Sequence, residues 1–391
     1  MQIIINYIIR KLYKIGIKLL ELFIPQNKNW IAIIGRYDGA FENNSMYFFQ
    51  YLYKKDDFQG WWFTRSKKTY KELSQQYPGS IAYTYSLKGI YIFIKSHFAI
   101  CSYSAKNFNP LFISQKKICI NLWHGIPLKR IGYLDPAMKG FNLKKFNEDL
   151  EFVDYMVTSS SFEAELFQKC FKKDKDKIIV SGTPRNDFLL TDNINDEITD
   201  RDILENHNII LYAPTFRAGK KTDLLPFKGL DLEELNSFLE ENNAYLLIRK
   251  HHNEALRYTK LYSGGNIKSR IIFAGQDRFP DAQILLKFTN ILITDYSSIY
   301  FDFLLLNRPC IFVPYDYEEY INERNFLFDY HENTPGPKLY SQSEIINYVE
   351  KCFNDPSTDE KLRTNLIQKF HKYTDGCAND RILAKIIEIN S

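Results

Sequence analysis

The chain has 391 residues, of which 45% are hydrophobic, 16% aromatic and 25% charged. This composition excludes disordered, fibrous and mini-protein classes, and the length predicts two or three domains with more than one core. The net charge is only +4, from 51 basic and 47 acidic residues, which argues against a general nucleic-acid-binding protein.

The first 25 residues predict a basic amphipathic helix. Its basic residues recur every three or four positions, at Arg10, Lys11, Lys14 and Lys18. They interrupt every apolar run, so no stretch is long enough to span a bilayer, and the order of charges is not that of a signal peptide. Such a helix suits an anionic membrane surface. The alternative is a first helix that packs on the following domain.

From residue 26 to 195, apolar strand-like runs alternate with helix-like segments. The predicted strands are Trp30–Ile34, Trp61–Thr64, Phe98–Ser102, Lys117–Leu122, Tyr155–Ser159 and Ile178–Ser181. The predicted helices are Ser45–Tyr53, Lys68–Gln76 and Ser161–Phe171. Buried strands separated by helices predict a parallel, doubly wound α/β sheet.

An acidic stretch at residues 191–205 predicts a connection to a second α/β domain, where the alternation restarts. The predicted elements there are a helix at Asp231–Glu241 and strands at Ile209–Ala213, Tyr245–Arg249, Ile271–Ala274, Ile291–Thr294 and Cys310–Val313. From about residue 341 the sequence pattern predicts only helices. Capping boxes at Ser341 with Glu344 and at Ser357 with Glu360 predict two helix starts. Two such halves predict a ligand site in the cleft between them, at the carboxyl ends of the strands.

The six cysteines form no C-x-x-C pair, and several lie in apolar runs. This predicts buried free thiols in a reducing compartment and no disulfide framework. No histidine has a second His or Cys at metal-ligand spacing, so we expect no zinc site. The chain also has no P-loop and no G-x-G-x-x-G, which argues against ATP- and NAD-type sites.

His124 is the first candidate for chemistry, because it emerges where a predicted strand ends. An imidazole there can act as a general base, since its ordinary pKa lies near neutral pH. The alternative is a hydrogen-bonded structural histidine. Arg185 and Asp187 follow a Gly-Thr-Pro turn. Asp187 could orient Arg185 or accept from a substrate hydroxyl, and turn and capping roles are the alternative.

Positive charge collects after two strands of the second half. Arg217 can meet phosphate through its guanidinium fork. Arg249 and His251 leave a strongly apolar strand, an unfavourable place for positive charge without an anion. We therefore expect Arg249 to bind the substrate and His251 to be an acid/base or phosphate-stabilising partner of His124.

The run ILITDYSSIYFDF predicts an anion site. A buried strand ends at Thr294, and Ser297 or Ser298 would cap a helix running through Leu306, with Asp302 one turn further along. The hydroxyls and the free amides of the helix start could hold a pyrophosphate. Ordinary N-capping is the alternative.

In their order and spacing, NLWHGIPLKRIG, SGTPRND, ILYAPTFR, LLIRKHH and ILITDYSSIYFDF resemble the CDP-glycerol:poly(glycerophosphate) glycerophosphotransferase family. That family contains teichoic-acid primases and polymerases, ribitol relatives and capsule enzymes. FENNSMYFFQYL resembles its early segment at Asn44 and Ser45, where we expect an acceptor-binding or supporting role. His124 matches the family's motif histidine proposed as base, and His251 matches its second essential histidine. The residues that match positions around the CDP group are Arg217, Thr294, Ser297, Ser298 and Asp302.

The resemblance implies a GT-B architecture with two Rossmann-like domains facing across a cleft. We accordingly expect a membrane-surface helix at 1–25, an acceptor domain at 26–195, a CDP-donor domain at 206–345 and C-terminal helices at 346–391. It also implies a peripheral location on the cytoplasmic face of the bacterial membrane, with a lipid-linked or oligosaccharide acceptor.

The implied reaction transfers an alditol phosphate from CDP-glycerol or CDP-ribitol to a hydroxyl and releases CMP. We expect no tightly bound cofactor, and a Mg²⁺ requirement and the oligomeric state stay open. Two alternatives remain: a nucleotide-sugar glycosyltransferase of the same fold, and a non-catalytic scaffold of a polymer-assembly complex. The first would release UDP, and the second would bind nucleotide without turnover.

Overall fold

The computed structural model describes residues 15–37, 39–108, 117–192, 198–215, 217, 225–249, 270–276 and 278–391. The described residues form two compact units. The first unit takes those up to His124 together with Ile131–Asp187 and Cys377–Ser391, and the second takes Gly125–Arg130 and those within Phe188–Gly376. No helix in the described ranges is long and apolar enough to cross a membrane.

The first unit is built on a parallel sheet, which in the described residues has seven strands in the order β3-β2-β1-β4-β5-β6-β7. The strands are β1 (Asn27–Ile34), β2 (Gln59–Thr64), β3 (Ile81–Tyr83), β4 (Ser96–Cys101), β5 (Ile118–Asn121), β6 (Tyr155–Thr158) and β7 (Ile178–Val180). The order reverses direction between β1 and β4, as in a doubly wound sheet. The six strands predicted for this half are confirmed. The short strand β3 was not predicted, because three residues do not form a recognisable apolar run.

Helices connect these strands and cover both faces of the sheet. They are α1 (residues 15–23), α2 (Asn43–Tyr53), α3 (Lys67–Gln76), α4 (Leu87–Lys95), α5 (Gly140–Leu150), α6 (Ser161–Phe171) and α7 (Pro184–Leu190). Burial on both faces explains the continuous apolar runs, since a strand such as Ile31–Ile34 has no solvent-facing side. Ile31, Ile33 and Trp62 are fully buried in this core.

The second unit has its own parallel sheet, which in the described part of the chain has the order β10-β9-β8-β11-β12. Its strands are β8 (Asn208–Ala213), β9 (Ala244–Ile248), β10 (Ile271–Phe273), β11 (Ile291–Thr294) and β12 (Cys310–Phe312). Its helices are α8 (Arg201–Asn206), α9 (Leu232–Glu241), α10 (Ala282–Phe288), α11 (Ile299–Leu304), α12 (Tyr317–Arg324), α13 (Gln342–Asn354) and α14 (Glu360–Phe370). The strands predicted for this half are confirmed.

The segment expected at 346–391 as one set of C-terminal helices is divided between the units. Its last helix, α15 (Ala378–Asn390), places Ile382 and Ile386 in the core of the first unit. Asp187 accepts hydrogen bonds from the backbone N–H groups of Ala378 and Asn379, both at 2.9 Å, and so holds the start of this helix. Helix α8 begins within the acidic stretch that was expected to be a connection.

One predicted helix cap and one predicted helix end differ from the structure. The capping box of Ser341 and Glu344 is present, but the one predicted for Ser357 is wrong. Helix α14 begins at Glu360 after Asp359, whose φ is +59°, and the Ser357 hydroxyl donates to Asp355 instead. Helix α11 ends at Leu304, short of the predicted end at Leu306. The cysteines are all free thiols, as predicted, and only Cys377 is exposed.

Candidate active site

His124 lies on a tight turn that follows strand β5. Trp123 has φ of +55° and Gly125 has φ of +125°, so the backbone adopts left-handed conformations on both sides of the histidine. Such conformations are uncommon for a bulky residue and persist where surrounding contacts hold them. The turn directs the His124 imidazole back toward Ser102, just after strand β4.

The His124 ring is held as a neutral tautomer with one free nitrogen. Its Nδ1 lies 3.0 Å from the carbonyl oxygen of Ser102. Because a carbonyl can only accept, Nδ1 carries the proton and Nε2 keeps its lone pair. No residue that the structure describes hydrogen-bonds to Nε2. Burial lowers the pKa of His124 to about 4; the Ser102 carbonyl opposes this shift and the charge of Arg185 adds to it.

Aromatic rings fix the plane of this imidazole. The Tyr103 ring stacks on it with centroids 4.9 Å apart and an angle of 20° between the planes. The Trp123 ring lies 4.3 Å away on centroids and packs in turn against Phe167 and Phe171 of α6. The histidine therefore has little rotational freedom, which is a requirement for a positioned base.

Asn44 holds the turn itself. This residue is fully buried at the start of α2, and its Nδ2 donates to the carbonyls of Leu122 at 3.2 Å and Trp123 at 2.9 Å. Its Oδ1 accepts from the backbone N–H of Arg185 at 3.0 Å. A single amide therefore ties together strand β5, the His124 turn and the start of α7.

Arg185 and Ser45 support the same arrangement. Arg185 donates from Nη1 to the His124 carbonyl at 2.9 Å and to Asn43 Oδ1 at 3.0 Å. The hydroxyls of Ser45 and Ser102 lie 2.7 Å apart, and the backbone N–H of Ser45 donates to the Ser102 hydroxyl. Thus the residues predicted from two distant motifs, Asn44 with Ser45 and Arg185, meet around His124. Tyr103 completes this group and was missed, because nothing in its sequence context marks it as more than a core aromatic.

In the second unit, Arg217 is the centre of a buried ion network. Its Nε and Nη2 form a two-pronged contact with Asp316, at 2.6 and 2.8 Å, and its Nη1 donates to Asp295 and to the Thr215 carbonyl, both at 2.9 Å. The two carboxylates raise the pKa of Arg217 and outweigh the opposing effect of burial. A guanidinium has five N–H groups. Four of them donate to described residues, so one N–H has no partner among these residues.

Asp295 and Asp316 are the residues of this network that sequence reasoning did not place. Asp295 follows strand β11 directly and also accepts from the backbone N–H groups of Thr215 and Tyr296. Its place at a strand end, between Thr294 and the two serines, was the available signal. Asp316 precedes α12, and nothing local connects it to Arg217, 99 residues away.

The other predicted residues of the second unit divide into buried and partly exposed groups. The Thr294 hydroxyl donates to the Ala213 carbonyl at 2.7 Å, and Asp302 is buried, where it accepts from Gln283 at 3.1 Å. Arg249 donates to the Phe279 carbonyl at 2.8 Å, and burial lowers its pKa. These three side chains hold neighbouring parts of the fold.

Ser297 and Ser298 remain partly exposed at the start of α11. The Ser297 hydroxyl accepts a long hydrogen bond of 3.4 Å from the backbone N–H of Ile299, and Ser298 makes no side-chain cap. His251 lies outside the described residues. Within the described ranges, no group of His, Cys, Asp and Glu could hold a metal ion.

Residues 17–388 match the family model described as CDP-glycerol:poly(glycerophosphate) glycerophosphotransferase. The chain is 29% identical over 378 residues to a teichoic acid glycerol-phosphate transferase of Staphylococcus aureus, covering 93% of this chain and 94% of that protein. It is 30% identical over 401 aligned positions to a teichoic acid poly(glycerol phosphate) polymerase of Bacillus spizizenii, covering 96% of each.

A solved structure of the wall teichoic acid polymerase TagF has a similar fold, with a TM-score of 0.75 at 21% identity. The match covers 97% of this chain and 93% of that one. It confirms the predicted fold class of two parallel-sheet α/β units with helices toward the carboxyl end.

Proposed function

The chain belongs to the CDP-glycerol:poly(glycerophosphate) glycerophosphotransferase family, and from this premise we propose that it transfers glycerol phosphate from CDP-glycerol to an acceptor hydroxyl. The acceptor is a lipid-linked or oligosaccharide precursor of a cell-surface polymer, and the other product is CMP. The relatives that match over nearly their whole length carry names of glycerol-phosphate transfer and polymerisation, which supports glycerol over other alditols.

In this proposal His124 is the general base. Its Nε2 takes the proton of the acceptor hydroxyl as the oxygen attacks the β-phosphorus of CDP-glycerol. The bond from that phosphorus to the bridging oxygen breaks, and the electron pair leaves with CMP. The observation that carries the proposal is the imidazole with Nδ1–H bound to Ser102 and with Nε2 left unbonded among the described residues.

The low pKa of His124 fits this reaction. Phosphoryl transfers pass through a loose transition state in which the nucleophile has formed little bond. The hydroxyl proton therefore leaves late, when it has become acidic, and a base of ordinary strength is not required. The low pKa has a second effect, because it keeps Nε2 unprotonated at neutral pH. General bases of this kind contribute about 10²–10⁴-fold.

We further propose that the second unit binds the CDP group. Ser297 and Ser298 offer partly exposed hydroxyls and the remaining N–H of Arg217 offers a donor, all near the carboxyl ends of β8 and β11. Thr294, Asp302 and Arg249 support the fold of this region through the contacts described above. His251 keeps its proposed role as an acid/base or phosphate-stabilising partner of His124.

Helix α1 supports the proposal of a peripheral membrane location. Ile15, Leu19, Leu22 and Phe23 are 48, 53, 68 and 80% exposed and lie on one side of the helix, whereas Ile17 is buried. Together with the basic residues around them, they fit an anionic membrane surface. Flotation with vesicles of phosphatidylglycerol should recover the wild type, and Leu22→Ser with Phe23→Ser should stay behind. Leu87→Ser, which removes another exposed leucine, is the matched control and should float.

The activity test is incubation with CDP-glycerol, CDP-ribitol and a UDP-sugar in the presence of bacterial membrane lipids. We expect CMP release from CDP-glycerol, and His124→Gln should lower it by about 10²–10⁴-fold. His97→Gln is the control, since His97 is another half-buried histidine, bound to Gln26 in the same unit. Product mass shows whether one or many units are added. UDP release, or near-normal CMP release by His124→Gln, would contradict the proposal.

A further inference from the structure

The segment that follows His124 belongs to the second unit. Residues Gly125–Arg130 group with that unit, and Lys129 forms an antiparallel bridge with Phe326. The backbone N–H of Leu327 donates to the Leu128 carbonyl at 2.9 Å, and that of Arg130 donates to the Asn325 carbonyl at 3.3 Å. These backbone contacts hold the segment against the residues that follow α12.

The ammonium of Lys129 is a partly buried cation that lacks a hydrogen-bonding partner among the described residues. Its Nζ lies 5.5 Å from the centroid of the Tyr320 ring. Other buried lysines of this chain are satisfied: Lys117 donates to the carbonyls of Ile94 and Ser96, and Lys338 donates to those of Thr334 and Gly336. Lys129 makes no such contact with a described residue, and its Nζ is not fully buried, so an anionic ligand can reach it.

Arg217 and its two carboxylates surround the same ring. The Arg217 guanidinium lies 5.7 Å from the centroid of the Tyr320 ring. Asp295 and Asp316 both form ion pairs with this guanidinium. The charges of Asp295, Arg324 and Arg217 all act on Lys129. Lys129 therefore lies among charged groups of both signs at the Tyr320 ring.

The hydroxyls of Tyr320 and Thr215 are also buried here, and neither has a hydrogen-bond partner among the described residues. Buried polar groups are nearly always hydrogen-bonded, so such hydroxyls in the cluster around Arg217 indicate a polar ligand. The cluster lies where strands β8 and β11 end, since Asp295 follows β11 directly and Thr215 is the second residue after β8. Open parallel sheets bind their ligands at this edge.

We propose that Lys129 binds a phosphate oxygen of the nucleotide donor. This inference rests on the proposed function and extends it by one residue: the motif that carries His124 also supplies a cation to the donor-binding unit. A lysine suits this task because its ammonium is a compact point charge with three donors. The phosphate would accept hydrogen bonds from the Lys129 ammonium, which donates none to a described residue.

The test is calorimetric titration of CDP and of cytidine into the full chain and its variants. Lys129→Met should weaken CDP binding by about 10- to 100-fold, the loss of one charge-assisted hydrogen bond, and leave cytidine binding unchanged. Lys129→Arg keeps the charge and should lose less than about 10-fold. The control is Lys369→Met, which removes another lysine placed over aromatic rings in this unit and should bind CDP normally.

Thermal unfolding of each variant shows whether it is folded, and Lys129→Gln replaces Lys129→Met if that variant is not. Equal CDP affinity in the wild type and in a folded, uncharged Lys129 variant would overturn the inference and leave the proposed function standing. A wild type that binds neither CDP nor CDP-glycerol would overturn the proposed function itself.

Discussion

Replacing Asn44 by Ala removes the amide that ties the His124 turn to its surroundings. The side chain makes three hydrogen bonds, to the carbonyls of Leu122 and Trp123 and from the N–H of Arg185. Each buried hydrogen bond contributes about 0.5–1.5 kcal/mol, so we expect the free energy of unfolding to fall by about 2–4 kcal/mol. The left-handed conformation of Trp123 adds to this, because the turn loses the contacts that maintain it.

Displacement of the imidazole should also lower turnover. Errors of about 1 Å in the position of a catalytic group cost about 10²-fold, so we expect kcat for CMP release to fall by about 10- to 100-fold in the folded variant. Urea denaturation measures the first effect, and a CMP-release assay at low urea and low temperature measures the second. KM for CDP-glycerol should change little, since Asn44 lies in the first unit.

Asn107→Ala is the matched control for this experiment. Asn107 is a buried amide of the same unit whose Nδ2 donates to the Gly35 carbonyl at 3.1 Å instead of to the turn. The Asn107→Ala variant should be less stable than the wild type. Its kcat should stay within about two-fold of the wild-type value, where 10-fold would correspond to about 1.4 kcal/mol. If Asn44→Ala loses no more activity than Asn107→Ala at equal stability, the reasoning about the turn is refuted.

Four other predictions concern His124, Asp316 and Asp187. Burial lowers the pKa of His124 to about 4. The two-bond ¹H–¹⁵N NMR signals of this histidine, assigned by comparison with His124→Gln, should therefore show the neutral Nδ1–H form down to about pH 5. Protonation of His124 near pH 6.5 would contradict this prediction. The unfolded state then binds the proton first, so this histidine should cost stability as pH falls below about 6.5. Asp316→Ala leaves Arg217 with one carboxylate and should cost about 3–5 kcal/mol in urea denaturation, and an unchanged midpoint would argue against a buried ion network. Asp187→Ala should cost about 1–2 kcal/mol and increase hydrogen exchange in α15, whereas unchanged exchange there would show that its cap is not needed.

The sheets were predictable from sequence because their strands are buried on both faces. Runs such as Ile31–Ile34 and Ile209–Ala213 are apolar without interruption, and the turns between them are marked by Gly, Pro and Ser. Two features of the fold were not predicted correctly, each for a physical reason. Strand β3 is too short to form a run, and the Ser357 box failed because Asp359 adopts a left-handed conformation that no local pattern indicates.

The site was predictable as a set of motifs and not as a set of contacts. Strand ends identified His124, Arg185 and Arg217, because parallel strands deliver side chains to one edge of a sheet. Which groups meet there depends on contacts between residues far apart in the chain. Asp316 reaches Arg217 over 99 positions, and Lys129 follows His124 in sequence yet lies in the other unit. Neither relation leaves a local signal.

The most direct measurement of the central claim is a product analysis of wild type and His124→Gln with CDP-glycerol and a membrane-lipid acceptor. The wild type should release CMP in step with the addition of glycerol phosphate to the acceptor, and His124→Gln should bind CDP-glycerol normally while releasing CMP about 10²–10⁴-fold more slowly. Glycerol phosphate transfer by His124→Gln at the wild-type rate would contradict the assignment of His124 as the base. Absence of any transfer from CDP-glycerol by the wild type would contradict the proposed reaction.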